Sequence, residues 1–292
     1  MPHPNPLLET GRAAKAAARE LASLSTARKN AVLLELAGLL LAEQAAICAA
    51  NAADLQAAKA AGMSASLQDR LLLNPERLAG IAADLRHVAG LEDPVGKVLD
   101  GRTLAGGLRL MRRATPLGVV AAVYEARPNV TVDIASLCLK TGNAVILRGG
   151  KETVHSNELL VKLIQRVMEN NGLPSAAVQA ITNPDRALMS ALLQLDAYVD
   201  MLIPRGSAGL HKFCRENSRI PVISGGIGLS QIYVDKSVDQ ERALPVLTNA
   251  KIQRPSACNS VETAIIHKDI AAEFIPKMIA YLGSRGVSFH PG

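Results

Sequence analysis

A chain of 292 residues, 49% hydrophobic and 20% charged, has the balance of a globular enzyme with a large core in one large or two medium domains. Its formal charge of +6 is spread without basic runs, and with no Trp, three Phe and four Tyr it lacks a surface for stacking bases, so nucleic-acid binding is a poor fit. The start MPHPNPLLET has no basic region followed by an apolar run, and no membrane anchor is read anywhere.

The first ninety or so residues read as helical. Ala-rich segments with Leu at three- and four-residue spacing run from about Leu7 to Ala61, and Asn74-Pro75 opens a further helix. Within them the apolar stretch Ala31–Ala50 is interrupted by Glu35, Glu43 and Gln44, which predicts an amphipathic helix and not a membrane span. The texture changes after Pro94. Lys97 to Thr115 carries Asp100-Gly101 and Gly106-Gly107 between residues of extended character, which predicts a hairpin or two short strands.

From Gly118 short apolar runs (Val119–Tyr124, Ala144–Leu147, Ala197–Ile203) alternate with helical patterns (Val130–Lys140, Ser156–Asn170, Ala208–Glu216). That alternation predicts a parallel sheet with helices on its faces, and ligands at the carboxyl ends of its strands. A second break near Asp235 precedes a helix over Asp239–Ala250, a polar loop Lys251–Ser260, a strand Glu262–Ile266 and a helix Ile270–Leu282.

Three glycine clusters sit in candidate turns. Pro204-Arg205-Gly206-Ser207 follows a strand and precedes a helix, where backbone amides can hold a phosphate, but it is no GxGxxG fingerprint and on spacing alone a glycine there is usually just a turn. Gly225-Gly226-Ile227-Gly228 suits close approach to a ligand or a flexible loop. Gly149-Gly150-Lys151, after Arg148, suits a nucleotide ribose or phosphate, or a solvated basic turn.

The four cysteines show no CxxC or metal-ligand spacing, so no metal site is expected and a reducing cytoplasm is favoured. Cys48 and Cys138 lie in apolar helical patterns, and Cys214 sits late in a helix between Phe213 and Arg215. Cys258 differs, lying in the polar loop Gln253-Arg254-Pro255-Ser256-Ala257-Cys258-Asn259 with cations nearby, which favour the thiolate. Its local context alone leaves a nucleophile and an inert thiol both open.

Six blocks in order carry a resemblance. They are Thr115-Pro116-Leu117-Gly118-Val119-Val120, Tyr124-Glu125-Ala126-Arg127-Pro128-Asn129-Val130-Thr131, Thr141-Gly142-Asn143 through Gly150-Lys151-Glu152, Ile203-Pro204-Arg205-Gly206, Gly225-Gly226-Ile227-Gly228, and Asn249-Ala250-Lys251 through Cys258-Asn259. Together they resemble the γ-glutamyl phosphate reductases of the aldehyde dehydrogenase superfamily, collinearly from about Leu7 to the end. The resemblance implies an aldehyde-dehydrogenase-like α/β fold in two parts. The first, 1–235, would be an NADP-binding domain with helices over 1–93, oligomerisation-type strands over 97–115 and a parallel sheet over 116–235. The second, 236–292, would be the N-terminal portion of an α/β catalytic domain.

By the same resemblance Cys258 is the catalytic nucleophile. Its attack on the acyl carbon of γ-glutamyl phosphate expels phosphate and leaves a thioester, whose reduction by hydride from NADPH gives glutamate 5-semialdehyde, on the route to proline. Asn259 and the Cys258 amide are the expected oxyanion donors, and Arg127 and Asn129 the expected substrate or phosphate contacts, unless they only shape the turn at Pro128. Arg148, Lys151, Gly206, Ser207, Gly225 and Gly226 are expected at the cofactor. Lys151 stands where NAD-preferring relatives carry an acidic residue, which favours NADP. Hydrolytic relatives place a water-activating Glu two residues before the matching Gly-Gly, and here that position is Ile223.

Two departures stand out. Ser230-Gln231 replace a frequent Cys-His, and the chain stops at Phe289-His290-Pro291-Gly292, short of the family's C-terminus. A truncated chain is therefore expected, with the Lys97–Thr115 strands lacking their oligomer partner. A longer form would be a homo-oligomer, with a functional association with glutamate 5-kinase as a further expectation. The alternatives are a related aldehyde dehydrogenase and an inactive nucleotide-binding fragment.

Overall fold

The structure is a computed structural model that describes residues 5–225, 228–255, 257 and 259–290. Two compact units divide between Ser224 and Gly225. The sequence places this step near Asp235. The difference is the strand β7 (Gln231–Val234), which pairs with Thr263–Ile266 and so belongs to the second unit.

Five helices open the first unit: α1 (Leu8–Leu21), α2 (Thr26–Ala42), α3 (Gln44–Ala60), α4 (Ala65–Leu71) and α5 (Pro75–Gly90). Asn74 caps α5 by accepting from the Arg77 amide, with Pro75 in the first turn, as the sequence predicts. The single helix expected over Ala31–Ala50 is instead broken at Glu43, where α2 and α3 bend by 71°. By spacing, the buried residues of α2 (Val32, Leu33, Leu36, Leu40) and of α3 (Ile47, Asn51, Asp54, Ala58) continue one helical stripe, so periodicity does not announce the break; what differs is the packing partner, chiefly α5 for α2 and the helix Val154–Asn170 for α3. Among the described residues no single helix is long and apolar enough to cross a membrane, though this bent pair reaches the length and composition together.

The strands β1 (Val98–Thr103) and β2 (Arg109–Arg113) form an antiparallel hairpin whose residues are all exposed. Beyond it lies a four-stranded parallel sheet of β3 (Val119–Tyr124), β4 (Ala144–Arg148), β5 (Val178–Ala180) and β6 (Met201–Arg205), in the order β5-β4-β3-β6. β3 is buried along its whole length, as expected where both faces of a parallel sheet are covered. The connecting helices are α6 (Asn129–Lys140), α7 (Val154–Asn170) and α8 (Arg186–Leu193), and α9 (Ala208–Asn217) follows β6. The chain steps from β3 to β4 to β5 and then returns to the far side of β3. The strand order therefore reverses between β3 and β6, the crevice where such sheets bind ligands.

Sequence periodicity misses β5 and α8. Three residues are too few to show a period, although Asp185, which accepts from the Ala187 amide, is a legible cap for α8. The strand expected over Ala197–Ile203 begins only at Met201, because the Tyr198 and Val199 amides turn back onto the Leu195 carbonyl.

In the second unit β7 runs parallel to β8 (Thr263–Ile266), joined through α10 (Gln240–Ile252) and followed by α11 (Lys268–Gly283). Val234, Leu244, Leu247, Phe274, Met278 and Leu282 form its core.

Candidate active site

Three predicted segments meet at the carboxyl edge of the parallel sheet. The chain leaving β3 (Glu125–Arg127) lies beside the turn after β6, because the Glu125 amide donates to the Arg205 carbonyl at 3.1 Å. The Glu125 side chain completes the junction: its Oε2 accepts from the Ser207 amide at 2.8 Å and its Oε1 from Ser207 Oγ at 3.2 Å. Ser207 is also the N-cap of α9, accepting from the Leu210 amide. A Cβ on Gly206 would lie on the Glu125 carboxylate, so only glycine admits an anionic oxygen this close to the turn.

The turn after β4 is tied to the same segment. The Ala126 amide donates to Glu152 Oε1 at 2.7 Å, and that carboxylate lies where a Cβ on Gly150 would sit. Ala126 is the single non-glycine residue at positive φ (43°) among the described residues, a conformation that persists only where neighbours enforce it. Beneath it runs a buried polar chain. Tyr124 Oη donates to Thr131 Oγ1 (2.7 Å), Thr131 donates to Asn157 Oδ1 (2.7 Å), Asn157 Nδ2 donates to Thr153 Oγ1 (2.8 Å), and Thr153 donates to the Gly150 carbonyl (3.0 Å). Burial raises the Tyr124 phenol above its ordinary range despite the Thr131 bond, so it stays a donor. Sequence reasoning assigns no role to Glu125 or Glu152. Their signal was an acidic residue at the carboxyl end of a strand, beside a glycine turn.

The predicted residues divide in their placement. Lys151 is exposed in a single 3₁₀ turn (Lys151–Thr153). Arg148 donates from Nη2 to the carbonyls of Pro184 (3.2 Å) and Asp185 (3.1 Å), so its guanidinium holds the loop before α8. Burial lowers the Arg148 pKa against the attraction of Asp185. Arg127 is exposed, and Asn129 opens α6 with Nδ2 on Asp133 at 2.9 Å. Gly225 is exposed at the start of the second unit, while Gly226 and Cys258 lie outside the described residues.

The segment that carries position 258 is pinned at both ends. The Val261 amide donates to the Ala250 carbonyl (3.1 Å), and Lys251 Nζ donates to the Val261 carbonyl (3.0 Å). Ser260 Oγ bonds the Lys251 carbonyl at 3.2 Å, so the loop leaves α10 and returns within one closed neck. Asn259 is exposed on this loop and lines a cleft of ≈ 240 Å³ with Ser230, Gln231, Gln253 and Arg254. The Ser230-Gln231 departure thus faces the same cleft as Asn259. Among the described cysteines, burial pushes the Cys138 thiol up to about 12 and the Cys214 thiol to about 11, which leaves both poor nucleophiles. A larger cleft of ≈ 460 Å³ beside Lys15, Arg113 and Gly118 opens at the amino end of β3, away from the ligand edge.

The aldehyde dehydrogenase family profile matches residues 8–287. The γ-glutamyl phosphate reductase of Photorhabdus laumondii is 60% identical over 284 residues, covering 97% of this chain and 68% of that protein. This chain belongs to the aldehyde dehydrogenase family, in its γ-glutamyl phosphate reductase branch. The enzyme of the same name from Serratia marcescens is 61% identical over the same shares. The crystal structure of the Thermotoga maritima γ-glutamyl phosphate reductase superposes with a TM-score of 0.90 at 38% identity, covering 96% of this chain and 68% of that one. The aldehyde-dehydrogenase-like α/β fold expected from the sequence is therefore the family's, and the chain spans about two thirds of its relatives' length. As a member of the family it is a nicotinamide-dependent oxidoreductase.

Proposed function

We propose that the chain reduces L-glutamyl 5-phosphate to L-glutamate 5-semialdehyde with NADPH, releasing phosphate, in the second step of proline synthesis from glutamate. The observation that carries the reading is identity near 60% along almost the whole chain to enzymes of that name.

In this reading the Cys258 thiolate adds to the acyl carbon and phosphate departs with the electron pair of the broken C–O bond, leaving a thioester. When bound, NADPH supplies the hydride that reduces that carbon. The thiohemiacetal then expels the thiolate and gives the aldehyde. The Asn259 side chain and the Cys258 amide hold the oxyanion, and Arg127 and Asn129 hold the substrate. The acyl phosphate is already activated, so placement is the main demand on the protein. Ile223, 54% exposed, offers no base to water, which supports a thioester that persists until phosphate or hydride reaches it.

The residues fit a dinucleotide. The Ser207 amide at the start of α9 already holds a carboxylate, and Gly206 leaves room for such an oxygen, so the turn suits a pyrophosphate. Exposed Lys151 favours a 2′-phosphate and hence NADP over NAD. Gly225 and Gly226 complete the cofactor set in this reading, and Arg148 contributes by fixing the loop at Pro184. The exposed β1–β2 hairpin, with Leu99, Leu108 and Met111 outward, supports self-association through these strands.

The test is NADP reduction with glutamate 5-semialdehyde, with and without phosphate. Strict dependence on phosphate is expected. Equal rates without it would identify a non-phosphorylating aldehyde dehydrogenase instead.

A further inference from the structure

Two helices of the first unit end on a carboxylate from elsewhere in the chain, and the two ends differ. At α7, Asp54 is 3% exposed and accepts from the His155 amide (3.1 Å), the Ser156 amide (2.8 Å) and Ser156 Oγ (2.6 Å). There the carboxylate and Ser156 are sealed inside the fold. At α9 the carboxylate is Glu125, exposed to solvent, with two bonds to one residue, Ser207. An exposed carboxylate on an amide is replaced at little cost, because water solvates it when it leaves.

We propose that Glu125 competes with the pyrophosphate of the dinucleotide for the N-terminus of α9, and that the cofactor binds by displacing it. The inference rests on the cofactor reading above. Two observations beyond the helix end support it. A Cβ on Gly206 would clash with the Glu125 oxygen, so the missing side chain leaves an oxygen-sized space against the backbone that a phosphate oxygen can take once the carboxylate leaves. Ala126 keeps its positive φ through a separate bond, from its amide to Glu152, so the segment stays anchored when Glu125 swings away. The negative charge at this turn then sets the cofactor's affinity, since a site held by an internal competitor binds its ligand more weakly by the fraction of time it is held.

The contrary role is a tether: Glu125 fixes the β3 segment to α9, and the cofactor binds best with the tether intact. Calorimetric titration of NADP into the full chain separates the two, using Glu125→Gln, which keeps an acceptor without the charge, and Glu125→Ala, which removes both. Displacement predicts tighter binding in both variants, by about fivefold for the charge alone. Equal or weaker binding in the folded variants, with the parent chain binding normally, overturns displacement and leaves the cofactor reading standing. Failure of the parent chain to bind NADP overturns both. Inorganic pyrophosphate serves as a second probe, and its affinity should rise in the same two variants if the competition is for that group.

Discussion

Asn129 donates from Nδ2 to Asp133 Oδ2 at 2.9 Å, one turn further along α6. Burial raises the Asp133 carboxyl to about 6 against the pull of this bond, with Asp84 raising it further and Arg205 lowering it. The folded carboxyl therefore holds its proton to about pH 6, whereas the unfolded one releases it near its ordinary value of 3.8. Between those values the folded state binds more protons, so this group's contribution to stability falls as pH rises through the window. Asp133→Asn should flatten that part of the profile, seen as a smaller loss of Tm between pH 4 and pH 6.5 than in the parent chain (about the span of the two pKa values). An unchanged slope would show that Asp133 does not titrate there.

Gly206→Ala probes the anion turn from the opposite side to Glu125. The φ of Gly206 lies outside the left-handed region, so the backbone accepts alanine and the fold is expected to persist. The new Cβ displaces the Glu125 carboxylate and also fills the space for a phosphate oxygen. NADP affinity should fall by about tenfold, the worth of one charge-assisted hydrogen bond. Gly206→Ala and Glu125→Gln both disturb the same contact, yet they should move the affinity in opposite directions. Titration calorimetry on the two variants reads this directly.

Asp54→Ala should destabilise the first unit. It leaves the His155 and Ser156 amides and the Ser156 hydroxyl without their acceptor, in a place where Ser156 is fully buried. A cost of about 3 kcal/mol is expected, combining a lost helix cap with unsatisfied buried donors. Urea denaturation followed by circular dichroism measures it, and a cost within the noise would mean that water replaces the carboxylate.

The sequence was most legible where one signal acted alone. Asn74-Pro75 announced α5, and the unbroken apolar run Val119–Tyr124 announced a central parallel strand. It was less legible where tertiary contacts decide. Nothing local at Glu43 marks the 71° bend, because the buried residues on either side continue one helical spacing and only the packing partners of α2 and α3 differ. β5 is only three residues long, and β7 belongs to the second unit because of a partner some thirty residues away, Thr263–Ile266. At the site, glycine spacing marked the turn at Gly206-Ser207, whereas the carboxylates that stitch it to its neighbours, Glu125 and Glu152, became visible only when the strand ends were brought together. Arg148 illustrates the converse. Its position at a strand's end was legible, but its use on the Pro184 and Asp185 carbonyls depends on how the loop before α8 packs.

The central claim is that Cys258 carries an acyl group that water does not remove. The most direct measurement mixes the chain with glutamate 5-semialdehyde and NADP in the absence of phosphate, follows NADPH formation, and maps the adduct by peptide mass spectrometry. The account predicts a burst of about one NADPH per chain that then stops, a glutamyl adduct on the peptide containing Cys258, resumed turnover on adding phosphate, and no burst in Cys258→Ser. Steady turnover without phosphate, or a burst that survives in Cys258→Ser, would contradict it.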